Sequence, residues 1–437
     1  MATLARLVRV GCMTGCWAFA RYMMRLLSHS RASMYHRVVW VIAIGTRLSL
    51  SPVPPRDAPE QAGVAITTVS APPSTLGAVR QTYARKDSFP PITQAYTKVS
   101  QVVRETGLLE RARWFYLTVG IVLALGFGGA ITGFILLGDS WFQLLIAAAL
   151  GILFTQVAFL SHEAAHRTIF TSGKANDRLA LILGNGIVGM SRDWWGSKHT
   201  RHHANPNRVG KDPDIEVDTI RFLDEDAAKV SGPMSVITRH QGWLFFPLLT
   251  LEGLNLHFIG LRHLLDFRQP IKGRWLELSL ITLRFALLLT PIFLFLPLGM
   301  AFAFVGVQMA VFGIYMGAAF APNHKGMPII DPDAKLDFFT KQVRTSRNVS
   351  GGWWATWLMG GLNYQIEHHL FPSMPRVHLA QAREIVKDYC KTLDVPYTET
   401  TLLKSYGIVI RYLNDVGLAA RDPFECGIVS KFRTKGV

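Results

Sequence analysis

The distribution of hydrophobic residues along the chain predicts a protein that lies in a membrane. Four stretches each hold the roughly 20 apolar residues that a helix needs to cross a bilayer, namely residues 115–137, 141–160, 276–298 and 300–322. Residues 138–140 separate the first two stretches, and Gly299 separates the last two. Linkers this short join antiparallel neighbours, so the pattern predicts two helical hairpins.

Two further features of the hydrophobic pattern are less regular. The third stretch carries Glu277 at its edge and Arg284 within its first turns, from where a long side chain could reach the lipid headgroups. Another apolar stretch, residues 243–265, is interrupted by five polar or charged residues. This pattern predicts an amphipathic helix that lies in the membrane interface and does not cross it.

The remaining polar segments, residues 161–275 and 323–437, are predicted to form a helical cap on one side of the membrane. An even number of crossings places both segments and both chain termini on the same side. Every basic residue except Arg284 lies outside the four stretches and their short linkers. By the positive-inside rule this side is the cytoplasm. The predicted fold is an all-α integral membrane protein with four transmembrane helices in two hairpins and a cytoplasmic helical cap.

The N-terminal part differs in composition from the rest. Residues 1–50 contain seven arginines and no lysine, aspartate or glutamate, which is typical of a leader whose role the sequence leaves open. Residues 51–110 begin rich in proline, serine and alanine, so we expect a linker that approaches the membrane. The main domain is then predicted to comprise residues 111–437.

Composition agrees with membrane residence and excludes other classes of protein. Apolar residues make up 49% of the chain and charged residues 17%, and the mean hydropathy is +0.23. The net charge of +16 belongs to the leader and to the cytoplasmic face, so it does not indicate nucleic-acid binding. Four cysteines without a Cys-x-x-Cys pair indicate reduced thiols and no sulfur-ligated metal.

Seven of the 14 histidines fall into three tight clusters. The clusters are His162 and His166; His199, His202 and His203; and His368 and His369. Residues three or four apart share one face of a helix, so each cluster can direct its imidazoles at one point. His162 follows the second apolar stretch and the isolated His324 follows the fourth, so both emerge at the same membrane boundary. Neutral imidazole binds Fe, Zn, Cu or Ni, so the pattern predicts a metal centre.

Two kinds of metal site can use these residues. Residues 162–166 match His-Glu-x-x-His, in which two histidines bind zinc and the glutamate is the general base of a protease. A membrane-embedded zinc protease would leave five other clustered histidines unexplained. The alternative is an all-histidine di-iron site that activates dioxygen beside the membrane. An unactivated C–H bond in a lipid chain requires such a metal–oxygen oxidant and two supplied electrons.

Four segments carry a resemblance to a known family. They are residues 162–166, 198–206, 322–326 and 363–372. In sequence and order they resemble the three histidine boxes and the isolated fourth histidine of the membrane fatty-acid desaturases, over about residues 80–437. Gln365 stands where many members carry a histidine, so the third box is of the Gln-x-x-His-His type. The bacterial branch similar to the actinobacterial acyl-coenzyme A Δ9 desaturases is the closer match, and this resemblance implies a bacterial plasma membrane.

The resemblance implies a set of site residues. The implied iron ligands are His162, His166, His199, His202, His203, His324, His368 and His369. Gln365 is a candidate weak or water-mediated ligand, and Glu163 is expected at most to orient a histidine. An acidic string, Asp212, Asp214, Glu216 and Asp218, is interpreted as a solvated face, with docking of a reductase as the alternative. Lys198 and Arg201 could meet an anionic headgroup or coenzyme A phosphates.

The resemblance also implies a reaction. Two iron ions (Fe²⁺/Fe³⁺), O2 and two electrons would introduce a cis double bond into a long acyl chain of an acyl-coenzyme A or acyl-lipid, with a Δ9 bond in a stearoyl or palmitoyl chain expected. The His-Pro-Gly-Gly motif of a fused cytochrome b5 does not occur in the sequence. Electrons would therefore come from NADPH through a separate ferredoxin-type or flavin oxidoreductase. A di-iron lipid or alkane hydroxylase stays open as an alternative, since it shares the chemistry up to hydrogen abstraction.

Overall fold

The structure is a computed structural model and describes residues 94–420. The predicted leader and most of the predicted linker lie outside the described residues. The last part of that linker contains α1, Ala95–Glu105, whose buried Val99 and Val103 pack against the cap.

The described part of the chain is mostly helical. After α1 follow α2 (Arg113–Leu137), α3 (Gln143–Ala165), α4 (Gly173–Leu181), a π-helix (Ile182–Val188), α5 (Arg192–Ala204), α6 (Asp224–Ala228), α7 (Pro233–Arg239), α8 (Gln241–Leu264), α9 (Arg274–Phe295) and α10 (Leu298–His324). The cap continues with α11 (Phe338–Thr345), β1 (Asn348–Ser350), α12 (Gly352–Leu358), a 3₁₀ turn (Leu362–Tyr364), α13 (Gln365–Leu370), a second 3₁₀ turn (Arg376–His378), α14 (Leu379–Thr392), β2 (Glu399–Thr401) and α15 (Leu402–Leu418).

One small sheet departs from the predicted all-α fold. Strands β1 and β2 pair in parallel over three residues each, with Asn348 opposite Glu399. The pairing brings the segment after α14 beside the segment before α12. The sheet thereby supports the third histidine cluster, which follows on α13.

Five helices among residues 94–420 are long and apolar enough to cross a membrane. Four of them, α2, α3, α9 and α10, correspond to the four predicted stretches. The fifth is α8, which covers the stretch predicted to be interfacial and forms one continuous helix of 24 residues. The structure thus does not confirm the predicted number of four spans.

Exposed tryptophans stand near the ends of these helices. Trp114 begins α2, Trp141 precedes α3 and Trp275 begins α9, and each side chain is largely exposed. Tryptophan is enriched where a membrane helix meets the headgroup layer, because its ring is apolar and its N–H is polar. Together with the exposed apolar faces of these helices, the tryptophans fit a protein embedded in a bilayer.

The two charged residues of α9 lie inside the protein, whereas the sequence suggested that Arg284 could reach the lipid headgroups. Glu277 and Arg284 are 3% and 5% exposed, so both are buried inside the protein. Arg284 donates through Nε to the carbonyl of Ile187 at 3.1 Å and does not reach outward to headgroups. Arg284 is therefore buried beside a carbonyl oxygen and does not make the expected contact with the membrane surface.

Helix α10 packs against α8 and α3 through glycines that allow backbones to touch. A Cβ atom added to Gly313 would collide with the backbones of Gly253 and Leu249, both on α8. Close backbone approach of this kind is how membrane helices associate without a hydrophobic driving force between them.

We therefore expect Gly313→Ala to lower the free energy of unfolding by about 1–3 kcal/mol, because the extra methyl overpacks this contact. Gly306→Ala on the same helix is the matched control, since a Cβ there meets open space and alanine is the better helix former by about 1 kcal/mol. Unfolding in detergent measures both. Equal stability of the two variants would contradict the packing described.

Candidate metal centre

Eight histidines from four helices meet at one place in the structure. His162 lies in the last turn of α3, with His166 just after it, and His324 is the last residue of α10. The second cluster occupies the last two turns of α5, and the third occupies α13. The ring nitrogens separate into two groups, one of five histidines and one of three.

The first group, named the five-histidine group, consists of His162, His166, His199, His203 and His368. Their ligand atoms all lie within 4.8 Å of one another. Nε2 of His199 lies 3.0 Å from Nε2 of His162 and 2.8 Å from Nε2 of His166. A single proton cannot satisfy three nitrogens that face one point, whereas a metal ion can accept all their lone pairs. The donors present thus fit a metal ion.

The second group, named the three-histidine group, consists of His202, His324 and His369. Each of these histidines places Nδ1 beside an oxygen atom. The distances are 3.0 Å from His202 to Asp212, 2.9 Å from His324 to the carbonyl of Thr345, and 2.9 Å from His369 to Gln342. Nδ1–H donates to that oxygen, so Nε2 keeps its lone pair. Nε2 of His202 and Nε2 of His324 are 3.3 Å apart. Nε2 of His369 is buried and finds no hydrogen-bond partner among the described residues. An unpaired lone pair in this position fits metal ligation.

Burial keeps most of these imidazoles neutral, which is the form that binds metal. Removal from water lowers the pKa of His166 to about 4, and burial likewise lowers the pKa of His199, His203, His368 and His369. For His202, burial lowers the pKa but the charge of Asp214 and the hydrogen bond to Asp212 outweigh it, so the pKa is raised.

An apolar cavity opens beside His162. It contains about 490 Å³ of space not filled by atoms, part of it open to solvent. Its walls come from α3, from α10 and from the segment of residues 180–195 that includes the π-helix. Trp195, also in the wall, stacks on His199 with the ring centres 4.3 Å apart. An apolar chain that entered this cavity would lie directly against His162.

A model of the family described as fatty acid desaturase matches residues 139–401, which is more than half of the chain. The chain belongs to the fatty acid desaturase family. It is accordingly an oxidoreductase that desaturates fatty acyl chains, and its apolar helices are those of a membrane protein. The expected resemblance to this family is confirmed.

Curated relatives include Delta(8)-fatty-acid desaturase 2 of Arabidopsis thaliana, which is 29% identical over 352 residues and covers 76% of each chain. Delta(8)-fatty-acid desaturase of Helianthus annuus is 27% identical, covering 76% of this chain and 75% of the relative. Delta(6)-fatty-acid desaturase fat-3 of Caenorhabditis elegans is 25% identical, covering 74% and 75%. These relatives do not support the expected Δ9 position, and they do not show a particular closeness to actinobacterial enzymes.

Glu163 was expected at most to orient a histidine, but in this desaturase it bonds a tyrosine and an arginine instead. Its carboxylate accepts hydrogen bonds from Tyr116 Oη at 2.8 Å and from Arg376 Nε at 2.9 Å, and it bonds no histidine within residues 94–420. Glu163 and Arg376 are both buried and form an ion pair. A carboxylate engaged in this way is not available as the general base of a zinc protease.

The acidic string is only partly a solvated face. Asp212 is 0% exposed and also accepts the backbone N–H of Asn207 at 2.6 Å. Asp214 accepts a hydrogen bond from Lys198 at 2.7 Å. Burial raises the pKa of Asp214, but Lys198, His202 and Lys325 outweigh burial and hold the pKa well below its usual range. The exposed members, Glu216 and Asp218, match the solvated interpretation.

The two basic residues of the second box also have partners. Lys198 pairs with Asp214, and Arg201 forms an exposed pair with Glu216 at 3.5 Å. The expected contact of these residues with an anionic headgroup or coenzyme A phosphates therefore competes with ion pairs inside the acidic string.

Several residues around the third box were not found from the sequence. Asn348 accepts the backbone N–H of Ile366 at 2.9 Å and donates to Glu367 at 2.7 Å. Burial raises the pKa of Glu367 to about 7 despite these bonds. Gln342 donates to the carbonyl of His203 at 2.8 Å while accepting from His369. A signal for Glu367 exists in its place directly before the two histidines of the third box, but the spacing of Gln342 and Asn348 offers none.

Proposed function

We propose that the five-histidine group and the three-histidine group each hold one iron ion and that the enzyme introduces a cis double bond into a long acyl chain in the apolar cavity. Two hydrogens leave adjacent methylenes, O2 takes them together with two electrons and two protons, and two waters form. The bound iron pair would supply the oxidising power that an unactivated C–H bond requires. The observation that carries the proposal is the arrangement in the three-histidine group. Every Nδ1 there lies beside an oxygen, Nε2 of His202 lies 3.3 Å from Nε2 of His324, and Nε2 of His369 has no hydrogen-bond partner among the described residues.

The protein's own contribution is to position the acyl chain and keep water away. Phe159, Met316 and Phe320 line the cavity next to His162. Apolar walls favour a hydrocarbon chain and exclude water, and they hold its reacting carbons close to the histidines.

Gln365 is proposed as a further ligand for the metal of the three-histidine group, direct or through water. Its side-chain amide lies 2.9 Å from Nε2 of His324 and 2.9 Å from the side-chain amide of Asn323. As placed, Oε1 of Gln365 accepts from Nδ2 of Asn323 and Nε2 faces His324. A flip of both amides keeps a bond between them, now accepted by the unpartnered Oδ1 of Asn323, and turns the Gln365 oxygen towards the metal.

We propose that four helices cross the membrane and that α8 lies along the cap. Gln241, at the start of α8, donates to the carbonyl of Leu413 on α15 at 2.9 Å. His263, near its end, pairs with Asp193 at the start of α5 at 2.8 Å. Both ends of α8 thus contact elements of the cap. This arrangement supports a cytoplasmic position of the histidines and of both termini, and it leaves the sequence-based domain boundaries unchanged.

The substrate is proposed to be an acyl-coenzyme A or an acyl-lipid, with electrons arriving from NADPH through a separate oxidoreductase. The names of the relatives give positions 6 and 8 for their double bonds, so we propose one of these positions for this enzyme and no longer position 9. Their similarity over three quarters of the chain supports this choice.

The decisive experiment expresses the protein with an NADPH-driven electron donor, supplies acyl chains, and locates new double bonds by mass spectrometry. We expect an olefin at position 6 or 8 and two iron ions per chain. A hydroxylated chain without an olefin would instead identify a hydroxylase, and one zinc without iron would favour the protease.

Asp212→Asn tests the support of His202. The introduced amide would turn its N–H towards Nδ1 of His202, which is itself a hydrogen-bond donor. We therefore expect a loss of about 10–100-fold in iron affinity and in turnover. Iron retained against a chelator and product formed per minute measure the two effects. Asp218→Asn, an exposed member of the same string, should change neither; an iron affinity of Asp212→Asn equal to that of the natural protein would refute this role.

A further inference from the structure

The segment of residues 180–195 forms one wall of the cavity beside His162. Gly184 and Val188 on the π-helix line the space, followed by Met190 and Ser191. The π-helix ends at Gly189, where the N–H groups of Gly189 and Met190 both donate to the carbonyl of Gly184 at 2.8 and 2.9 Å. π-Helices are rare and occur often at functional sites. The shape of this wall therefore depends on an unusual backbone that needs support.

Glu277 of α9 supplies the first support. Its Oε2 accepts hydrogen bonds from Asn185 Nδ2 at 2.9 Å and from Ser191 Oγ at 2.8 Å. Its Oε1 accepts the backbone N–H of Asp193 at 3.2 Å. All three partners are donors, so the carboxylate connects the π-helix to the start of α5.

Arg284 and His257 supply the second support. Arg284 donates through Nε to the carbonyl of Ile187 at 3.1 Å, and its guanidinium lies over the rings of Phe154 and Phe285. His257 of α8 donates through Nε2 to the carbonyl of Val188 at 3.0 Å. These carbonyls lie at the end of the π-helix, where the helix itself offers no donor.

Charged residues buried in apolar helices are costly, and their presence calls for a role. Arg284 shows this most clearly, because its two terminal nitrogens are buried without a hydrogen-bond partner among the described residues. Neither Glu277 nor Arg284 belongs to the two histidine groups. Their direct contacts are instead with the cavity wall.

We propose that Glu277, Arg284 and His257 are positioning residues that fix the cavity wall and thereby select which carbons of the acyl chain are desaturated. The inference rests on the proposed function, since it takes the cavity as the site of the acyl chain. A reacting bond must lie within a few tenths of an ångström of its productive place, and a displacement of about 1 Å can cost about 10²-fold in rate. A shifted wall therefore brings a different C–H bond into reach.

The test is Glu277→Gln, analysed by the double-bond positions in its products. The introduced amide offers one acceptor oxygen where the carboxylate offered two, so Asn185 and Ser191 must reorient to accept its N–H, which loosens the wall. With stearic and linoleic acids supplied, we expect the ratio of minor to major positional isomers to change by about tenfold, with two iron ions still bound. The double variant Asn185→Asp/Glu277→Gln exchanges the donor and the acceptor of the hydrogen bond between these two side chains. It should therefore restore the isomer ratio of the natural protein.

Glu252→Gln is the matched control. Glu252 also lies in an apolar helix, but its carboxylate accepts from Asn255 of the same helix at 3.1 Å, so the isomer ratio should not change. If Glu277→Gln lowers the amount of product without changing the ratio, its role is structural only and the inference fails. If Glu277→Gln does not fold, Asn185→Ala removes only one donor and carries the same expectation. Failure of the proposed function is distinguishable, because the natural protein would then form no olefin.

Discussion

Replacing His202 with alanine should abolish desaturation and release one of the two iron ions. The change removes one of three imidazoles from the three-histidine group and leaves the five-histidine group intact. Loss of a residue that merely supports a ligand costs 10–100-fold, so loss of the ligand itself should cost at least about 100-fold in activity. Iron per chain, measured by mass spectrometry of the purified protein, should fall from two to one.

His240→Ala provides the matched control for this experiment. His240 is exposed, and its Nδ1 lies 3.0 Å from the carbonyl of Val236 on the preceding helix, away from both histidine groups. We expect it to keep both iron ions and full activity. Full activity of His202→Ala would disprove the di-iron assignment, and loss of both ions would show that the two groups are not independent sites.

Arg376→Met should destabilise the protein by about 3–5 kcal/mol, because it leaves the buried carboxylate of Glu163 without its cation. The pair lies between α3 and the cap, where Glu163 also accepts a hydrogen bond from Tyr116 on α2. Removal of one partner from a buried pair is far more harmful than removal of both, since the remaining charge is out of water. The free energy of unfolding in detergent measures the effect.

Glu163→Gln/Arg376→Met removes both charges and should recover most of the lost stability. It should also retain both iron ions and measurable desaturation, because Glu163 contacts no histidine nitrogen in the structure. Lys391→Met breaks an exposed pair with Asp388 and should change stability little. A double variant as unstable as Arg376→Met would show that the ion pair is not the cause.

The apolar helices were the most predictable part of the fold. A bilayer requires about 20 consecutive apolar residues, so α2, α3, α9 and α10 were visible in the composition of the chain alone. The helix α8 was more difficult to classify, because several of its polar residues contact protein in the structure, whereas a hydropathy pattern treats all of them as facing water. His257, for example, bonds the carbonyl of Val188 at the end of the π-helix.

The histidine clusters show how much of the metal centre the spacing of residues along the chain can predict. Intervals of three and four residues on α3 and α5 are local, so the sequence predicted which imidazoles share a face. Their division into groups of five and three was not predictable. His203 belongs with His368, which is 165 residues away, while its neighbour His202 belongs with His324.

The sequence by itself determined that this protein is an apolar, histidine-rich member of the desaturase family, because membrane length, helical spacing and the order of the boxes are properties of the linear chain. Only the tertiary structure decided which residues support the site. Gln342 and Thr345 reach their histidines across 27 and 21 residues of chain, and Asp212 reaches His202 across a turn of 10 residues. The same holds for Glu277 and Arg284, because a charge within an apolar stretch has no evident partner until helix packing places a carbonyl or a donor beside it.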